Sequence, residues 1–223
     1  MEYLIHILIM CGIYVILTLS LNLILGFTGL PALGHAAFYC VGAYTSSLLA
    51  LKLGFSPWIG LIAGAILASI FGFIIGFPSL RLKEDYLALA TFGFAIIVYS
   101  VAKNWVSLTR GPMGLPGIPQ YSIFSFELSS LWSFLILVTV LVLFTYFVLW
   151  RIVSSPWGRV LEGIREDEVA IQSLGKNADK YKVLVFVIGA FFAGIAGSLY
   201  AHYISFIDPS SFTVMESILI ALM

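Results

Sequence analysis

The chain has 223 residues, 61% of them hydrophobic and only 10% charged, and its eleven basic and eleven acidic side chains cancel. A soluble domain carries about a quarter charged residues, so this composition excludes a water-facing surface over most of the molecule. Apolar runs near 20 residues match a hydrocarbon core of about 30 Å, and helices satisfy their own amides in lipid. The expected fold class is an all-α polytopic integral membrane protein, a bundle of about six to seven transmembrane helices in one domain covering 1–223.

The first apolar segment runs from about Tyr3 to Leu25. It lacks a basic leading region and a small-residue cleavage site, so it is expected to stay as a membrane anchor. Polar Ser20 and Asn22 lie within it, and because an unpaired amide in lipid is costly, Asn22 is expected to face the bundle. "GFTGLPALGH" then predicts a turn or an unwound, re-entrant stretch. Segment two, about Ala32 to Leu51, is rich in Ala, Gly and Ser, which let helices approach closely; it is expected inside the bundle. Segment three, about Pro57 to Phe77, repeats Gly60, Gly64, Ala68, Gly72 and Gly76 at four-residue spacing, the pattern of a tight helix contact. Cys11 and Cys40 fall in apolar segments without metal-ligand spacing and are expected to be packing residues.

A polar link, "PSLRLKED", leads to segment four, about Tyr86 to Trp105. The connection 106–130 follows, where prolines and glycines between Gly111 and Pro119 exclude a regular helix. Segment five is about Leu131 to Trp150, segment six about Val183 to Tyr203 with Gly189, Ala193 and Gly197 on one face. A last helix begins near Phe212; its eleven or so residues give about 18 Å at 1.5 Å per residue, too short to cross, so a continuation beyond Met223 is expected. Glu216 in its first turn is expected to snorkel to the interface.

Between segments five and six, "WGRVLEGIREDEVAIQSLGKN" packs in seven charges. Eight of the eleven Lys and Arg (Arg81, Lys83, Arg151, Arg159, Arg165, Lys176, Lys180, Lys182) fall in this connection and in "PSLRLKED", against Lys52, Lys103 and Arg110 on the other side. The bias predicts a cytoplasmic insert and an external Gly/Pro loop. A purely topogenic loop leaves Glu162, Glu166, Asp167 and Glu168 unexplained, because acids contribute little to orientation. Leu161, Ile164, Ile171 and Leu174 recur with helical spacing and predict an apolar stripe on one or two short amphipathic helices. Asp167 is placed to cap the second and Gly175 to end it. The stripe can meet lipid or a groove on a partner; the excess of acids over arginines from Arg159 to Glu168 disfavours lipid.

The histidines His6, His35 and His202 have no ligand spacing, and structural hydrogen bonding is the simplest reading of His35 and His202. His35, beside a chain break, and Asn22 are also candidates to line a pathway, as are Tyr39 and Tyr44. Segments one to six carry no charged residue mid-helix, which argues against an ion-coupled carrier; such a carrier, or a channel-like pore acting without ATPases, is the alternative.

The stretch "SPWGRVLEGIREDEVAIQSLGKNADKYKVLVFVIGAFFAGIAGSLYAHY" resembles the cytoplasmic loop and next helix of ABC-type branched-chain amino acid permeases of the LivM type. The likeness extends in order through "NLILGFTGLPALGHAAFYCVGAYTSSLLA", "PSLRLKEDYLALATFGFAIIV", "LTRGPMGLPGIP" and "YISFIDPSSF". The resemblance implies a subunit that is not an enzyme, in a prokaryotic plasma (inner) membrane. It implies a coupling loop over 154–180, with Gly158, Arg159, Arg165, Glu166, Asp167, Glu168, Ser173, Leu174 and Gly175 meeting the ATPase. An importer signature of glutamate, two alanines and a glycine is matched in part by Glu168, Ala170 and Gly175, the glycine one place late. Arg110, Gly111, Pro112, Gly114, Pro116 and Gly117 would face an extracytoplasmic substrate-binding protein. The implied partners are a companion permease, two ABC ATPase subunits, lipid and an amino-acid substrate, with no nucleic acid. No G-x-x-x-x-G-K loop occurs, so no cofactor is expected on this chain, and ATP and Mg would sit on the ATPases.

Overall fold

The computed structural model describes residues 2–79, 84–123, 126–127 and 130–223. Arg81 and Lys83, counted above in the charge bias, lie outside them. The helices are α1 (Glu2–Thr28), α2 (His35–Leu53), α3 (Pro57–Ser79), α4 (Glu84–Asn104), α5 (Val106–Thr109), α6 (Leu131–Val153), α7 (Pro156–Glu166), α8 (Glu168–Ser173), α9 (Ala178–Ile204) and α10 (Val214–Leu222). Among the described residues, two-residue strands are β1 (Leu115–Pro116), β2 (Ser122–Ile123), β3 (Phe126–Glu127) and β4 (Phe206–Ile207). β1 pairs antiparallel with β4, Leu115 opposite Ile207, and β2 with β3.

Among the described residues, six helices (α1, α2, α3, α4, α6 and α9) are long and apolar enough to cross a membrane, in agreement with the six full-length segments read from the sequence. α9 begins five residues earlier than that reading, because Asn177 Oδ1 accepts from the Lys180 amide at 3.2 Å and starts the helix before its apolar part.

The core is built on α2, α3 and α9, and its spacing is set by glycine. Gly194 of α9 lies so close to α3 that a Cβ there would stand 2.9 Å from the Gly64 carbonyl oxygen. A Cβ on Gly64 would stand 2.8 Å from the Gly42 oxygen of α2, and one on Gly42 would collide with the Gly194 backbone. Three helices therefore touch backbone to backbone at one level, the contact that small residues permit in lipid. Around it α2 and α9 are the most buried spans and α6 the least, its Ile136, Val140 and Leu143 facing outward.

Contacts sort the helix ends onto two faces. The Arg165 guanidinium donates to the Gly26 carbonyl at 2.6 Å, which puts α7 at the C-terminal end of α1. On the other face, His6 Nδ1 meets Tyr203 Oη at 2.7 Å, Lys52 Nζ donates to the Ser107 carbonyl at 3.3 Å, and Trp58 Nε1 donates to that of Ser122 at 2.8 Å. The charged insert and the Gly/Pro loop thus lie on opposite faces, as the alternation of crossings predicts.

α2 does not begin at a face. His35 Nε2 pairs with Ser20 Oγ at 2.7 Å, and Ser20 lies about 12 Å along α1 from its C-terminal end. The connection 29–34 folds back into the bundle, the re-entrant turn that its glycines suggested. Amides exposed by this start must find partners away from water. Leu33 N donates to Thr91 Oγ1 at 3.1 Å and Ala36 N to Ser217 Oγ at 2.8 Å.

Overpacking a tight contact costs about 1–3 kcal/mol, and the Gly194 site is walled by backbone. Gly194→Leu is expected to lower the melting temperature of the purified protein clearly. Gly93→Ala, where an added Cβ meets nothing within 4 Å, should leave it unchanged.

Candidate functional site

The insert folds as two short helices with a sharp break. Pro156 opens α7 behind Ser155, whose hydroxyl accepts from the Trp157 amide at 3.2 Å. Gly158 is buried, with no room for a Cβ beside the Val153 carbonyl, so α7 turns tightly off α6. At the break, Asp167 Oδ1 accepts from the amides of Val169 at 2.9 Å and Ala170 at 3.0 Å, the cap expected for α8. Gly175, at φ +78°, ends it in the left-handed conformation as expected.

The apolar stripe does not face one surface. Leu161 and Ile164 are buried against the chain's own helices, and Ile171 packs under Gly163. Only Leu174 of the four is presented outward, at 75% exposure, joined by Val169 at 70%, which the helical spacing did not single out. The physical reason is the break at Asp167: α7 uses its apolar side to lie on the bundle, and the cap redirects α8 away from it. Ser173 is exposed beside them, its hydroxyl donating to the Val169 carbonyl at 2.9 Å.

The charges divide the same way. Glu168 accepts from Lys182 Nζ at 2.6 Å, with the lysine side chain only 8% exposed, and so ties α8 to the first turns of α9. Arg165 is committed to Gly26. Arg159, Glu162 and Glu166 are exposed and make no ion pair among the described residues. The outward surface of α8 is therefore an apolar knob, Val169 and Leu174, rimmed by acids on a segment braced to α1 and α9.

The pathway candidates separate. His35, Tyr39 and Tyr44 are buried in the bundle, and His35 Nδ1 and both tyrosine hydroxyls have no hydrogen-bond partner among the described residues. Tyr39 and Tyr44 pack on Phe212, with ring centroids 5.0 and 5.9 Å away. Asn22, expected to face the bundle, is instead exposed on the outer side of α1, its amide lying over Gly26. Cys11 is exposed on α1, while Cys40 is buried as a packing residue.

Glu216 is also a correction. It does not snorkel to an interface: Tyr14 Oη donates to its Oε1. Tyr14 is near the middle of α1, about 18 Å from Glu2 at 1.5 Å per residue. The chain turns back after α9, through β4 and the 3-10 turn Pro209–Phe212, so α10 starts at depth. A carboxylate at a bilayer centre costs about 2.5–3.5 kcal/mol on insertion scales, so this one needs its partner. Sequence reasoning missed it because the depth of Glu216 depends on that return.

The Gly/Pro loop is ordered by burial of recurring positions along it. Gly111, Gly114, Leu115, Ile118 and Tyr121 point inward; Arg110, Pro112, Met113, Pro116 and Gly117 are exposed. Gly114, at φ +69°, lies against the Ile207 carbonyl, where a Cβ would stand at 2.6 Å. Tyr121 Oη meets Ser198 Oγ at 2.9 Å; burial pushes its phenol pKa up, partly offset by that bond, so it stays neutral. His202 Nδ1 holds the Pro119 carbonyl at 2.6 Å, the structural role expected for it.

These features define a multi-pass helical membrane protein with a braced amphipathic insert on one face and a folded loop on the other. Residues 3–223 match the family model described as "Branched-chain amino acid transport system / permease component", and the chain belongs to that family. It is 40% identical over 228 residues to the high-affinity branched-chain amino acid transport system permease protein LivM of Escherichia coli (strain K12), covering 92% of this chain and 54% of that protein. It is 26% identical over 213 residues to LivH of the same organism, covering 88% and 68%. Over 198 residues it is 25% identical to the guanosine ABC transporter permease protein NupQ of Bacillus subtilis (strain 168), covering 80% and 60%. The chain thus spans about half the length of the LivM protein it matches. No solved structure gives a significant match.

Removing a capping side chain costs about 1 kcal/mol. Asp167→Ala is therefore expected to speed hydrogen exchange at the Val169 and Ala170 amides about fivefold and to leave the amides of α9 unaffected, as read by mass spectrometry.

Proposed function

We propose that this chain is the membrane-spanning permease subunit of an ATP-driven ABC importer in a prokaryotic inner membrane, carrying branched-chain or other apolar amino acids. The carrying observation is the exposed Val169–Leu174 knob on a helix that is capped by Asp167 and tied by Glu168 to Lys182. An apolar surface held rigidly in a charged rim suits a groove on a protein partner. The charge bias of the sequence puts that partner in the cytoplasm, and the family's transport role makes an ATPase the partner that fits. ATP and Mg belong to that subunit; two copies would serve the assembly.

On the opposite face, Arg110, Pro112, Met113, Pro116 and Gly117 form the exposed surface offered to a substrate-binding protein, while Gly111 and Gly114 shape the loop beneath. Likeness to both LivM and LivH supports a companion permease of related fold. Gly158 places α7, and Arg165 fastens it to α1.

Asp167 and Glu168 have internal partners, so Val169 and Leu174 are the cleaner probes. In the full transporter, Val169→Asp with Leu174→Asp is expected to leave membrane insertion intact, abolish co-purification of the ATPase and reduce ATP-driven leucine uptake at least tenfold. Unaltered uptake overturns the docking assignment, and uptake sustained by a proton gradient without ATPases overturns the importer reading. Competition by guanosine rather than leucine would move the cargo to nucleosides.

A further inference from the structure

The end of α9 nearest the insert reaches past the hydrocarbon. Its 27 residues span about 40 Å at 1.5 Å per residue, against a core of about 30 Å, or roughly 40–45 Å with the headgroup layers. A helix of that length placed across a bilayer has its first turn among the headgroups. Beside that turn lies a groove of about 470 Å³ between α3 and α9. Its inner limit follows from Gly72 of α3, where a Cβ would stand 2.7 Å from Ala190 Cβ and 3.0 Å from the Phe186 carbonyl oxygen of α9. The helices touch at that level. From there toward Ser79 and Ala178, Phe73 and Phe77 form one wall of the groove and Val183 and Leu184 the other.

The walls and the mouth of this groove differ in kind. The Phe73 and Phe77 rings stack with centroids 5.9 Å apart, and each residue is 52% exposed. Phe73 lies six residues, about 9 Å, inside the end of α3, too deep for a water-soluble partner to cover. Asp179 and Lys180 stand at the outer end. Lys180 precedes Val183 and Leu184 by three and four residues and so shares their face of α9. Both charged side chains are exposed, and neither is in an ion pair among the described residues. Asn177, beside them, spends its Oδ1 on the helix cap. A wholly apolar lining would suit an acyl chain alone, and a purely basic one an anionic headgroup. One acid next to one base, above two apolar walls, matches a lipid whose headgroup carries both charges.

We propose that this groove seats one phospholipid with a primary-ammonium headgroup, of the phosphatidylethanolamine type, from the leaflet on the insert's side. Lys180 pairs with its phosphate, Asp179 accepts from its ammonium, and the acyl chains lie along the phenylalanine and aliphatic walls. Charge-assisted hydrogen bonds of this kind are the strong ones, and they tell an ammonium that carries N–H groups from a trimethylated nitrogen that has none. Lys182, two residues beyond Lys180, holds Glu168 of α8, so the lipid abuts the turn of α9 that anchors the insert. The site is separate from the Val169–Leu174 knob, and its occupant does not depend on which solute the protein carries.

The test uses the intact, full-length protein in its assembly, stripped of lipid in detergent and read by native mass spectrometry. It is given equal amounts of phosphatidylethanolamine, phosphatidylcholine or phosphatidylglycerol with identical chains. An exposed ion pair contributes up to about 1 kcal/mol, about fivefold in affinity. One phosphatidylethanolamine is therefore expected to bind about fivefold more tightly than phosphatidylcholine. Asp179→Asn should abolish that preference while the lipid is still retained, and Lys180→Gln should weaken retention of both lipids about fivefold. Both variants are expected to melt with the parent when stripped, because neither side chain has a partner to lose. The ranking of the three lipids on the parent is decisive without any variant. Tighter binding of phosphatidylglycerol than of phosphatidylethanolamine overturns the assignment of the headgroup. Retention that neither substitution changes places the lipid elsewhere, and no retained lipid means that protein covers the groove; either result overturns the proposal.

Discussion

The rest of the molecule depends on three glycine backbones meeting inside the bundle. Gly42, Gly64 and Gly194 bring α2, α3 and α9 into contact at one level, and in lipid such contact replaces the water-driven burial that holds soluble cores together. Side chains of α1, α4 and α10 reach the start of α2. There Ser20, Thr91 and Ser217 take up the polar groups of a chain that turns back inside the membrane.

The same economy shapes the insert. α7 has an apolar side, and the bundle uses it: Leu161 and Ile164 are buried, and Arg165 fastens to Gly26. What remains for another protein is the short α8, whose outward residues are few. A partner would touch a small surface tied to both α1 and α9, because Arg165 fastens α7 to Gly26 and the Glu168–Lys182 ion pair fastens α8 to α9.

Much of this was legible in the sequence. The six long segments, the abundance of small residues in segment two, their four-residue rows in segments three and six, the cap at Asp167 and the stop at Gly175 all follow from residue type and spacing. Three features were not. Periodicity shows that a helix has an apolar side but not which surface receives it, so Leu161 and Ile164 were grouped with Leu174. Burial of Asn22 was inferred from the cost of a bare amide, but whether a helical residue faces the bundle depends on how α1 packs, and Asn22 stands on its outer side. The depth of Glu216 depends on where the chain goes after α9, and no local pattern near Glu216 encodes that return.

α9 is 27 residues long, about 40 Å at 1.5 Å per residue, and it is gripped at both ends. Lys182 holds α8 near its start; near its finish His202 holds the Pro119 carbonyl, and just beyond it β4 is zipped to β1 of the loop. It therefore joins the two surfaces through one uninterrupted helix, so that the insert and the loop are anchored to opposite ends of the same element.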